Sequence, residues 1–191
     1  VEGQSCDYAE TEQGKRMVEF MNNASTVFFM SEQQKNIHLK SLPSLEDKTM
    51  VVLSSLFDDE FFAYIDSIKQ KYKNKKKTKW LVMGSNSWVK GVQESEDWCI
   101  ENELEYEVVQ GLKPDEFLDK LAQAKGLCFK PGGLDTCPRL VIEAKLLGCE
   151  LELNENVQHA DEEWFNSDDN SEIVRYLSSR KQLFWERAFE K

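Results

Sequence analysis

GLCFKPGGLDTCPRLVIEAKLLGCELELN, residues 126–154, decides the fold. It opens on a short apolar strand, GLCFK (126–130), and runs through a glycine-rich loop. An amphipathic helix follows, PRLVIEAKLLG (138–148), and then a second strand, CELELN (149–154). A strand, a helix and a strand in so few residues form a βαβ unit, whose strands lie parallel with the helix packed on the sheet. Working outward, the rhythm repeats. KWLVMG (79–84) is a strand followed by a helix from about Trp88 to Asn102, and YEVVQ (106–110) by the helix PDEFLDKLAQA (114–124). TMVVLSS (49–55) precedes the helix DDEFFAYIDSIKQKY (58–72), with Asp at its start and Lys at its end, as the helix dipole favours. TVFFM (26–30) is a further strand between helices predicted over 8–23 and 31–39, and Pro43 ends the second of these. The fold class is therefore α/β, a single Rossmann-like domain with a parallel sheet and helices on both faces. Residues 1–45 form a leading segment, 46–170 the core, and 171–191 one long helix carrying Val174, Leu177, Leu183 and Phe184, with Trp185 and Phe189 extending its apolar surface.

Composition sets limits on this reading. The 191 residues suffice for one domain with a proper core, and the chain opens on Val1 rather than Met, as a fragment or a processed form would. A formal net charge of −11 argues against nucleic acid as the main partner, yet leaves room for a small anion held by a few placed donors. The lysine run KNKKKTK (73–79) has no interleaved aromatics and reads as a solvated loop. No apolar run is long enough to span a bilayer, and no signal sequence opens the chain. The five cysteines include no Cys-x-x-Cys pair: Cys99, Cys128 and Cys149 sit in apolar stretches and read as core residues, while Cys6 and Cys137 complete the set. A reducing, cytoplasmic setting is expected. His38 and His159 stand far apart with no metal-ligand spacing, so no metal site is expected.

Ligands of an open parallel sheet bind beyond the carboxyl ends of its strands, which directs attention to three loops. In GSNSWVKG (84–91), Gly84 allows close backbone approach, Ser85 and Ser87 offer hydroxyls, and Lys90 can set a positive charge over phosphates. This loop has neither Walker nor GxGxxG spacing, and an ordinary polar loop with a helix cap explains it as well. In KPGGLDTCPRLVIEA (130–144), Gly132 and Gly133 free the backbone, and Thr136 or Cys137 is expected to cap the helix ahead of Pro138. The positive helix end favours a pyrophosphate, and Arg139 could add a donor. Asp135 faces the cleft. Glu143 either accepts hydrogen bonds from a diol such as ribose or lies on the solvent side of the helix. In LNENVQHADEEWF (153–165), Asn154, Asn156 and His159 could touch a ligand, although a turn and a packed histidine account for them.

The run from Pro131 to Gly148 resembles the donor-site signature of retaining GT-B-fold glycosyltransferases of the family 4 type. There, two acidic residues separated by seven others follow a small-residue loop; here they are Asp135 and Glu143, with Asp where that family usually has Glu. Trp88–Val89–Lys90–Gly91 resembles the family's Lys-Gly element, and residues 26–43 resemble the passage from its first Rossmann domain to its second. The resemblance covers roughly residues 26–165. It implies a nucleotide-diphosphate sugar as donor substrate and no separate cofactor. Asp135 and Lys90 would be catalytic, Lys90 neutralising the diphosphate. Glu143 would hold the ribose, and Asp135 would face the transferred sugar together with the backbone of Gly133, Leu134 and Thr136. Ser85, Trp88, Gly91, Gly132 and Arg139 would complete the binding surface, with no metal required. The acceptor side would come from an N-terminal domain or a partner chain. The competing expectation is a non-catalytic Rossmann-like module for nucleotide or protein binding. A flavodoxin- or receiver-like domain is disfavoured, because neither an acidic pair nor a Ser/Thr-rich phosphate loop follows the first strand.

Overall fold

A computed structural model describes residue 8, residues 11–75 and residues 77–189. Cys6, the lysine at position 76 and the outermost residues assigned to the first and last helices lie outside the described residues.

Four strands make the main sheet: β3 (Trp80–Met83), β4 (Tyr106–Val109), β5 (Gly126–Phe129) and β6 (Glu150–Leu153). They run parallel in the order β4-β3-β5-β6. Between them lie α4 (Val92–Glu101), α5 (Pro114–Gln123) and α6 (Arg139–Leu146). The alternating register of β3 and β5 separates two cores. Trp80, Val82 and Cys128 point to one face and meet Cys99 and Trp98 of α4. Leu81, Leu127 and Phe129 point to the other and meet α3 (Asp59–Tyr72), α5 and α6 through Ile65, Leu121 and Ile142. All four residues of β5 are buried, as a central parallel strand covered on both faces must be. Cys99, Cys128, Cys137 and Cys149 are free thiols packed as small apolar residues, three of them as their apolar neighbours suggested.

The remaining strands, β1 (Thr26–Phe29) and β2 (Thr49–Val52), form a separate two-stranded parallel sheet. The division expected between residues 45 and 46 falls in a short 3-10 turn, Pro43–Asp47, but the strands before and after that turn pair with each other. α1 (Glu12–Asn23) and α2 (Glu32–Ser41) flank this pair, capped by Thr11 and Ser31, whose side chains accept from the backbone N–H of Gly14 and Gln34. α7 (Glu163–Asn166) and α8 (Asn170–Phe189) close the chain. α8 buries Ile173 and Leu177 in the main core and then reaches the small sheet, where Phe184 packs on Phe28 with ring centroids 5.1 Å apart. Among the described residues no helix is long and apolar enough to cross a membrane.

Several boundaries shift from expectation. The helix expected from Trp88 is a 3-10 turn (Trp88–Lys90), then Gly91 in the left-handed region (φ 57°), then α4. Neither Thr136 nor Cys137 caps α6. That helix begins at Arg139, Pro138 holds the cap position with no side-chain hydrogen bond, and Cys137 is turned into the core.

Candidate functional site

In the order β4-β3-β5-β6 the chain leaves β3 for β4 and then crosses back to β5 on the opposite side. The crevice between the carboxyl ends of β3 and β5 is thus the switch point at which such sheets bind ligands. The loops after β3 and β5 meet there. Lys90 Nζ, from the first, donates to Asp135 Oδ2, from the second, at 2.7 Å. The ammonium is about one-third exposed and the carboxylate half as much, so the pair lies at a protein–water boundary where a ligand anion could compete for the lysine.

Backbone contacts hold the two loops together. Gly132 N–H donates to the Val89 carbonyl at 3.0 Å. Gly91 is forced by its conformation and by space: a Cβ there would stand 1.6 Å from the Lys130 carbonyl oxygen. Ser95 fastens the same point, donating to the Gly91 carbonyl at 2.8 Å and accepting from the Lys130 N–H at 3.0 Å. Ser85 accepts from the Ser87 N–H, so its hydroxyl shapes the turn before Trp88. Trp88 stands against Gly132 and Gly133, and Leu134 is exposed at the loop's tip. Thr136 lies half-buried on the same loop.

The third loop braces this assembly. The side-chain amides of Asn154 and Asn156 both donate to the Pro131 carbonyl, at 3.0 and 2.8 Å. Asp135 forms a parallel bridge with Val157: its N–H donates to the Asn156 carbonyl, and its own carbonyl accepts from Gln158 N–H. His159 is wholly buried, stacked on Trp164 and edge-on to Phe165, and neither ring nitrogen has a hydrogen-bond partner. Burial lowers its pKa to about 4. It is a packing residue.

Glu143 and Arg139 are drawn into a neighbouring feature, an open cavity of about 410 Å³. Its wall runs from the ends of β3 and β4 (Met83, Val109) through Gln110 and Gly111 to Arg139 and Glu143 on α6. Glu143 is therefore not on a solvent face. Its side chain is 14% exposed, and burial raises its pKa while Arg139 pulls the other way. Arg139 Nε lies 3.6 Å from Glu143 Oε1, and its guanidinium sits 4.5 Å over the Phe57 ring, so in this structure it serves the carboxylate. The loop after β4 was not among the three singled out. The same strand-end rule pointed to it, and Gly111 in the left-handed region (φ 71°) just before Pro114 was its signal.

The described residues of the lysine run behave as a surface loop: Lys79 pairs with Glu105, and Lys77 donates to the Leu147 carbonyl. Among the described residues no three His, Cys, Asp or Glu side chains group in a way that could hold a metal ion. No family model matches the chain, and no curated protein matches it.

Proposed function

We propose that this chain is the nucleotide-sugar-binding half of a retaining GT-B-type glycosyltransferase. The observation that carries the reading is the Lys90–Asp135 pair, closed across the switch point beside the cavity that holds Glu143. A nucleoside suits the cavity: an apolar wall takes a base, and a partly buried carboxylate takes a vicinal diol. The diphosphate then lies between cavity and loops, with its charge met by Lys90 and by N–H groups of the loop entering α6. In transfer, the anomeric carbon exchanges its bond to the diphosphate oxygen for one to an acceptor hydroxyl oxygen. The nucleoside diphosphate leaves, and the proton of the acceptor hydroxyl passes to its departing phosphate oxygen. Asp135, freed from Lys90 by the arriving phosphates, faces the sugar.

The acceptor side calls for a second α/β unit, in this chain or another. The two-stranded parallel sheet supports that requirement, since such sheets are stable as parts of larger ones. Calorimetric titration with UDP, GDP and their sugars tests the reading. Binding by one nucleotide family is expected, weakened in Glu143→Ala and in Lys90→Ala. Binding by none, or binding by both variants as tight as that of the parent chain, overturns it.

One observation favours the second reading, a non-catalytic interaction module: Trp185 and Phe189 are exposed at 53% and 72% and stack on each other at 5.6 Å. Removing the tail would also remove the buried Ile173 and Leu177, so Trp185→Ser with Phe189→Ser is the better probe. Altered assembly with no nucleotide binding by the parent chain would favour the module.

A further inference from the structure

Trp88 is 76% exposed, and a single exposed apolar side chain is ordinary. Three features set this one apart. Its mount is rigid: the 3-10 turn is closed by Lys90 N–H on the Ser87 carbonyl and by Gly91 N–H on the Trp88 carbonyl. Its floor is shaped for it: a Cβ on Gly132 would stand 3.2 Å from Cε3 and 3.4 Å from Cζ3 of the indole, and one on Gly133 3.6 Å from Cη2. The six-membered edge thus lies along a glycine pair while the rest of the ring faces water. Its surroundings are polar: exposed Asn86 and Ser87 precede it, and the Lys90–Asp135 pair follows, with Leu134 the one other exposed apolar residue of these loops.

A flat aromatic ring among hydroxyls, amides and charges suits a ligand with an apolar face and a polar rim. A pyranose has that form, with C–H bonds on its face and hydroxyls around its edge. An acyl chain would need a continuous apolar groove, which the polar residues on both sides of Trp88 interrupt. We propose that Trp88, which the resemblance would give to the donor surface, is instead a stacking platform for a sugar ring of the acceptor, which makes the acceptor a carbohydrate. The proposal rests on the glycosyl-transfer reading above, because it is the neighbouring Gly133–Thr136 loop that would face the transferred sugar.

The test is an NMR titration of the ¹⁵N-labelled chain, without nucleotide. Five tryptophans give five indole N–H signals, and Trp88→Phe assigns the one from Trp88. Maltose, cellobiose, lactose, mannobiose and chitobiose are each added to about 50 mM, a range that captures weak single-ring contacts. At least one is expected to shift the Trp88 signal saturably, while the signal of the remote, half-exposed Trp185 stays in place. In Trp88→Ala the remaining spectrum then shows no saturable change. No response at Trp88 to any of the five sugars overturns the proposal. So does an equal response at Trp185, or an equal shift caused by n-octanol. Because nucleotide is absent, the two readings fail separately. A sugar response in a chain that binds no nucleotide overturns the acceptor assignment while leaving the contact itself measured. Nucleotide binding with a silent Trp88 overturns this proposal alone.

Discussion

The four-stranded and two-stranded parts of the molecule obey the same rules and reach different ends. In the first, β5 is buried on both faces and α4, α5 and α6 cover the sheet. In the second, among the described residues, β1 and β2 have only each other as strand partners, and α1 buries no residue, leaving Met17 and Phe20 exposed at 50% and 81%. A hydrophobic face is buried by what stands next to it, so the larger part is complete in itself and the smaller part depends on its neighbours. What joins them is apolar through Phe28 on Phe184 and polar beside the loops after β6. Ser31 donates to Gln158, and the Glu32 N–H at the start of α2 donates to the Glu162 carboxylate, both from the loops after β6.

Gly91→Ala is the sharpest attempt to break the complete half. The substitution meets both a left-handed backbone and a carbonyl oxygen, and should cost about 3 kcal/mol or more. Urea unfolding should show it as a lower midpoint, and an unchanged midpoint would mean that the two loops do not pin each other.

His159 probes the seam. Its folded pKa of about 4 lies below the ordinary 6.5, so between those values the unfolded chain takes a proton that the folded chain refuses. Stability should fall as pH drops through that window, by about 3 kcal/mol across it. His159→Phe, set between Trp164 and Phe165, should flatten the fall. The amides of β1 and β2 should lose hydrogen-exchange protection before those of β3 and β5, and simultaneous loss would show the two parts to be one cooperative unit.

Glu143→Gln sharpens the comparison from the ligand's side. A charge-assisted hydrogen bond to a diol is worth about 1.5–3 kcal/mol, so under the proposed function nucleotide affinity should fall roughly 10- to 100-fold while the melting temperature holds or rises. The rise would come from removing a carboxylate whose burial disfavours its charge.

Phe20→Ser should have the smallest effect, within about 0.5 kcal/mol on unfolding. If α1 is a docking face, self-association measured by sedimentation should decrease. A large loss of stability would instead show that Phe20 is already covered.

How much of this was legible follows from the same contrast. β3 to β6 and their helices announced themselves, because doubly covered strands are apolar runs and their helices amphipathic. Lys90 and Asp135 stand 45 positions apart in two strand-end loops, and the strand order brings them to one point. The cavity wall at Gln110 and Gly111 went unseen, since a wall is made by shape and a short loop carries little chemistry in its letters. The separateness of β1–β2 was equally hidden, because a strand's sequence states that it will pair but not with how many partners. Thr136 and Cys137 fit the helix-cap pattern, yet tertiary packing prevailed: Cys137 is buried, and its carbonyl accepts from Ser55.

The two asparagine amides on the Pro131 carbonyl carry one more consequence. A carbonyl oxygen has two acceptor positions, and here both are occupied. The backbone at the crevice is therefore set before any ligand arrives, and adaptation to different guests falls to the segment after β4 and to the indole at the rim. Directed evolution aimed at residues 110–113 and 88 should change which molecules are bound, whereas changes at 154 or 156 should weaken binding of every guest alike.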